Sequence, residues 1–162
     1  MLSKLAAYGA ILCGAFAIQV SFDTPAHADE EIYHGVGLSN ANTGNANLSN
    51  GEFSYRADDQ GNLGVSTFDE AHVDANNNKP CRFRFTAILG EGIAPVIGTI
   101  YDLSGPEGYQ VEYDNNPDGH WNILLPDGVA ANTARNTLSL WARNNRDGRV
   151  SNGTRAEEPA CN

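Results

Sequence analysis

The sequence predicts an all-β domain, an antiparallel β-sandwich or barrel of about seven short strands behind a cleaved N-terminal signal peptide. Three observations predict it. Cys81-Arg82-Phe83-Arg84-Phe85-Thr86-Ala87 alternates strictly, which puts Cys81, Phe83, Phe85 and Ala87 on one face and the cations on the other. Asp-Gly pairs at 118–119, 127–128 and 147–148, and Asn-Gly pairs at 50–51 and 152–153, supply the positive φ that tight turns need. No long stretch carries the 3.6-residue apolar period of an amphipathic helix.

Residues 1–28 have the three parts of an export signal. Lys4 gives the positive start, Leu5 to Val20 the apolar stretch, and Ala26-His27-Ala28 the small-x-small site, with cleavage before Asp29. A cut after Ala26 instead would leave His27 as an N-terminal copper chelator. Residues 29–51 read as a polar Asn/Gly-rich arm, because Gly37 to Gly51 is almost all Asn, Ser, Gly, Ala and Thr around two leucines. Residues 52–162 then form a single β-domain ending in a polar C-terminal segment.

Within that domain the predicted strands are Glu52–Ala57, Leu63–Phe68, Cys81–Ala87, Val96–Leu103, Tyr109–Tyr113, Trp121–Leu125 and Thr137–Arg143. The clearest hairpin joins Tyr109–Tyr113 to the strand at Trp121 through the turn 114–119. In the last strand Leu138, Leu140 and Ala142 face one way, while Ser139, Trp141 and Arg143 face the other. A short helix at Val129–Arg135 is the lone helical possibility.

Of 162 residues, 20 are acidic and 10 basic, for a net charge of −10. Nucleic-acid binding needs clustered Lys and Arg, so the composition argues against it, and it also disfavours anionic phosphate or lipid partners. Arg143, Arg146, Arg149 and Arg155 form the one basic cluster, expected as a solvated C-terminal segment. Cys13 falls in the signal, leaving Cys81 and Cys161. Two cysteines in an exported chain predict one disulfide, which would sew the C-terminus to a middle strand.

Asp114-Asn115-Asn116-Pro117-Asp118-Gly119 matches the first half of a calcium loop, with Asp114, Asn116 and Asp118 at the alternating ligand positions. The twelfth position is Leu125 where a bidentate Glu belongs, so an Asx-rich hairpin turn is the competing reading. Ca²⁺ is thus the one cofactor suggested; otherwise none is. Asp58 to Asn62 is a poorer acidic turn. Glu70, His72 and Asp74 would share a face if they lay on a strand, a spacing suited to a transition metal.

For catalysis, G-x-S-x-G, H-E-x-x-H, P-loop and dinucleotide signatures are all missing from the sequence. His120, beside Trp121 and near Asp118, is a possible base. Outward-facing Trp121, Trp141, Tyr109 and Tyr113 would make an aromatic platform for a carbohydrate or protein ligand. The leading expectation is therefore an exported, periplasmic or extracellular, non-catalytic binding or envelope-interaction module. A metal-binding module on the Asx-rich turns stands second, and a small secreted hydrolase third. His and carboxylate side chains meeting in one cleft would favour the third.

Overall fold

A computed structural model describes residues 29–40, 44–57, 61–76, 79–90, 93–151 and 161. The export signal with Cys13 and His27, the acidic residues Asp58 and Asp59, and Arg155 lie outside the described residues. In chain order the elements are β1 (Glu30–Val36), β2 (Leu38–Asn40), β3 (Asn45–Ala46), β4 (Arg56–Ala57), β5 (Leu63–Asp69), α1 (Val73–Asn76), β6 (Cys81–Ile88), β7 (Thr99–Ser104), β8 (Gln110–Tyr113), β9 (His120–Leu124), α2 (Ala131–Asn144), a 3₁₀ turn (Arg146–Gly148) and β10 (Arg149–Ser151).

Six strands close into an antiparallel barrel in the order β1-β5-β9-β8-β7-β6, with β6 pairing back onto β1. The expected all-β antiparallel architecture is what the chain forms, as a barrel with extra strands. β6 is the pivot. One edge carries β1 in seven-residue register, from Glu30↔Ala87 to Val36↔Cys81. The other edge carries β10 along its first half and β7 along its second. Its alternation is read out as expected: Cys81, Phe83, Phe85 and Ala87 are buried, while Arg82, Arg84 and Thr86 are half-buried on the outside. There Arg84 pairs with Glu31 at 3.0 Å, and Arg82 lies 4.6 Å over the Tyr33 ring.

The barrel is filled, not hollow. Ile32, Val65, Phe83, Phe85, Val111, Trp121 and Ile123 are all buried in one cluster. Phe53 enters it edge-on to Phe83 and Phe85, at 6.3 and 6.2 Å. Bringing Phe53 inward takes a turn at 49–53, so the expected strand Glu52–Ala57 shrinks to Arg56–Ala57.

Three sequence expectations need correction. Thr137–Arg143 is not a strand but part of the fourteen-residue α2, which begins within the short helix expected at Val129–Arg135. Its inward stripe is Ala134, Leu138, Ser139 and Ala142, so Leu138 is buried while Leu140 is 56% exposed. Ser139 Oγ donates to the Leu48 carbonyl at 2.6 Å, and Trp141 stacks on Phe85 at 5.5 Å. Second, residues 30–36 of the predicted arm form the barrel strand β1, whose Ile32 and Val36 face the core. Third, Val96 and Ile97 precede the strand they were expected to start, and both are exposed.

Cys81 and Cys161 are joined by a disulfide with Cα atoms 5.8 Å apart, which ties the second-to-last residue to the start of β6. No helix among the described residues is long and apolar enough to cross a membrane.

Candidate functional site

β5 and β9 run antiparallel with Ser66 opposite Asn122 and Phe68 opposite His120. Period-two alternation sends Val65, Thr67, Trp121 and Ile123 into the barrel. It leaves Ser66, Phe68, His120 and Asn122 together on the other face. Ser66 and His120 are diagonal neighbours across this ladder, within reach of an imidazole.

They meet: Ser66 Oγ lies 2.7 Å from His120 Nε2. On the far side of the ring, His120 Nδ1 lies 2.6 Å from Asp114 Oδ1. A carboxylate only accepts, so Nδ1 carries the proton and Nε2 is left to accept from the Ser66 hydroxyl. The result is a serine–imidazole–carboxylate arrangement built from the β8–β9 hairpin and from β5, which pairs with β9. Ser66 is exposed, His120 is buried and Asp114 is partly covered. The Phe68 ring stands edge-on to the imidazole at 5.1 Å.

The turn 114–119 aims the carboxylate. Asn115 takes a positive φ of 50°, and its Oδ1 accepts from Gly119 N at 2.8 Å and from Tyr113 Oη at 2.7 Å. Burial, helped by Asp69, Asp118, Glu30 and Asp114, pushes the Tyr113 hydroxyl pKa up, so it remains a donor. Asp114 Oδ1 also receives Asn116 N at 3.2 Å, and the turn closes through His120 N to Pro117 O at 3.0 Å. Gly119, at φ 73°, has no room for a side chain because His72 packs against it. His72 Nδ1 is itself held 2.7 Å from Asp69 Oδ1.

The relay opens onto a cavity of about 430 Å³ whose lining includes Ser66, His120, Asn122, His34, Arg56 and Lys79. Asn122 sits directly opposite Ser66, with its side-chain amide over Gly64. Gly64 makes its place, since a Cβ there would collide with the Asn122 amide. Lys79 and Glu52 pair at 3.7 Å on the same wall. His34 lies between two carbonyl oxygens, Ser66 O at 2.7 Å and Glu52 O at 2.8 Å, against the Phe53 ring. Both partners accept, yet burial lowers its pKa and opposes the second proton that would satisfy both.

The residues singled out from sequence fall as follows. Asp114 joins His120, whereas Asp118 and Asn116 are exposed on the turn. Glu70, His72 and Asp74 do not share a strand, because β5 ends at Asp69 and α1 begins at Val73. Glu70 is exposed in the turn, His72 turns to Asp69, and Asp74 pairs with Arg82 at 3.5 Å. Among the described residues no group of three or more His, Cys, Asp or Glu side chains is arranged to hold a metal ion. Trp121 is fully buried, contrary to an outward platform, because it shares the inward face of β9 with Ile123. Tyr109 is buried with its hydroxyl on the Ala134 carbonyl, Tyr113 is half-buried, and Trp141 packs on Phe83 and Phe85. Sequence reasoning passed over Ser66 and Asn122. The one signal for Ser66 was a small hydroxyl on the polar face of the strand Leu63–Phe68. Comparison with known protein families, curated proteins and solved structures returns no match.

Proposed function

We propose that the protein is a small exported hydrolase with Ser66 as nucleophile, His120 as general base and acid, and Asp114 as the group that orients and stabilises the imidazolium. The observation that carries this reading is the chain of two short contacts, 2.7 and 2.6 Å, running from a sheltered carboxylate through His120 to an accessible hydroxyl in a cavity wall. Side chains scattered over a polar strand face have no need of that order of acceptor, imidazole and hydroxyl.

The chemistry follows from the arrangement. As Ser66 Oγ attacks an acyl carbonyl carbon, its proton passes to His120 Nε2, and Asp114 steadies the charge that forms on the ring. The carbonyl oxygen gains negative charge, for which we assign the side-chain amide of Asn122, the residue opposite Ser66, as donor. His120 returns the proton to the departing alcohol or amine, leaving Ser66 acylated. Water, deprotonated by the same nitrogen, then releases the carboxylic acid and restores the hydroxyl. Arg56 and the Lys79–Glu52 pair make the cavity wall polar, which favours an acyl group with polar substituents over a long hydrocarbon.

Export is part of the same proposal. It is supported by the pattern of residues 1–28 and by the Cys81–Cys161 bridge, which suits an oxidising compartment. Sequencing of the mature N-terminus should begin at Asp29.

The test is covalent labelling with a fluorophosphonate, followed by peptide mass spectrometry, alongside turnover of small aryl esters. Label is expected on Ser66 and is lost in Ser66→Ala. His120→Ala and Asp114→Asn should slow labelling by roughly 10²–10⁴-fold. Ser66 is exposed, so its alanine variant keeps the fold, which circular dichroism checks. Absence of label above a heat-unfolded control overturns the reading and returns the cavity to a non-catalytic binding role.

A further inference from the structure

Three of the four arginines of the basic cluster seen in the sequence come together at one place, with Arg143 and Arg146 exposed as expected and Arg149 half-buried. Arg143 in the last turn of α2, Arg146 in the 3₁₀ turn and Arg149 at the head of β10 line one cavity of about 410 Å³, walled by Ser39, Asn45 and Asn47. Their spacing of three residues over a change from helix to strand brings all three to one place. This is 3 of the 10 Lys and Arg residues in a chain of net charge −10.

These arginines differ from those elsewhere on the barrel. Arg82 and Arg84 have carboxylates at 3.5 and 3.0 Å. Among the described residues, Arg143, Arg146 and Arg149 have no carboxylate within ion-pairing distance. Arg143 Nε donates to the Ser139 carbonyl at 3.3 Å, and Arg149 Nε is buried with no hydrogen-bond partner among the described residues. Desolvation and the nearby Arg146 charge both lower the Arg149 pKa, and Asp147 opposes them only in part. A buried donor left unpaired, beside a like charge, is costly unless something fills the gap.

We propose that this cavity is a binding site for a tetrahedral oxyanion, a sulfate or phosphate group, held by the guanidinium forks of Arg143, Arg146 and Arg149. Planar forks match such oxygens in pairs, and the buried Nε–H of Arg149 gains the acceptor it lacks. The overall negative field of the protein repels an extended polyanion. The site therefore suits a compact group, either a free ion or the end of a small monoester.

The test titrates inorganic phosphate, and separately sulfate, into the disulfide-intact protein at constant ionic strength, following arginine Nε–H resonances by NMR. A saturable shift of Arg149 Nε–H is expected, with affinity about tenfold weaker in Arg146→Gln and unchanged in Arg84→Gln. A parallel titration with phenyl phosphate separates the sources: tighter binding than inorganic phosphate identifies a carried group, weaker binding a free ion. A shift that never saturates and follows salt alone overturns the proposal. So does equal affinity in Arg146→Gln and Arg149→Gln variants whose circular dichroism matches the parent.

Discussion

Reducing the Cys81–Cys161 bridge should cost the domain a large share of its stability. The two cysteines are 80 residues apart, and closing a loop of that length removes about 4.5 kcal/mol of unfolded-chain entropy at 25 °C. Domains of this size are commonly stable by only about 5–15 kcal/mol. At a few degrees per kcal/mol, the melting temperature should fall by about 10–20 °C. The loop holds four of the six barrel strands, β6 to β9, together with α2 and β10, while β1 and β5 lie outside it and pack against its strands. The assay is thermal unfolding by circular dichroism with and without a phosphine reductant, with alkylation and mass spectrometry proving that both sulfurs were free. A fall of less than about 3 °C in fully reduced protein would refute the entropic argument.

Two further predictions are quicker to test. Leu138→Ala should cost about 2–5 kcal/mol in urea unfolding, while Leu140→Ala stays within about 0.5 kcal/mol. A strand would put both leucines on one face and equalise the losses, so the pair distinguishes α2 from the alternation in its sequence. His34 has a folded pKa below its ordinary value of 6.5. The unfolded chain therefore takes the proton first, and its contribution to stability is full above about pH 6.5 and declines as pH falls towards the lower folded value. Unfolding at pH 7.5, 6.5 and 5.5 should show that decline, and His34→Gln should flatten it. An identical slope in parent and variant would show that His34 contributes nothing to it.

Much of the barrel was legible because its strands obey simple alternation. Cys81–Ala87 declared its two faces outright, and the Asp-Gly at 118–119 marked the hairpin that became β8–β9. The helix α2 was hidden by coincidence. Leu138, Leu140 and Ala142 alternate as a strand would, while the helical stripe Ala134, Leu138, Ser139, Ala142 is mostly small residues that carry little apolar signal. β1 was hidden because its buried residues, Ile32, Tyr33 and Val36, do not alternate. At the site, Asp114 and His120 both drew notice from the sequence, but apart: one as a calcium ligand, the other as a base near Asp118. Their partner Ser66 lies 54 residues from His120. No local motif reports that contact, since it depends on the register of two strands.

That dependence also explains where the site is. The interior of the barrel is packed with Trp121, Phe83, Phe85 and Ile123, which leaves the proposed chemistry to an outer face. An outer face is normally a poor place for catalysis, because side chains there are mobile and wet. Here β5 and β9 are barrel staves whose inward residues are locked by packing, so the ladder that holds Val65 against Ile123 also holds Ser66 against Asn122. The β8–β9 turn then brings Asp114 behind His120. A slip of one residue between β5 and β9 would turn Ser66 into the core and empty the site. The same apolar packing that makes such a slip prohibitive therefore sets the 2.7 Å contact on which the proposed chemistry rests.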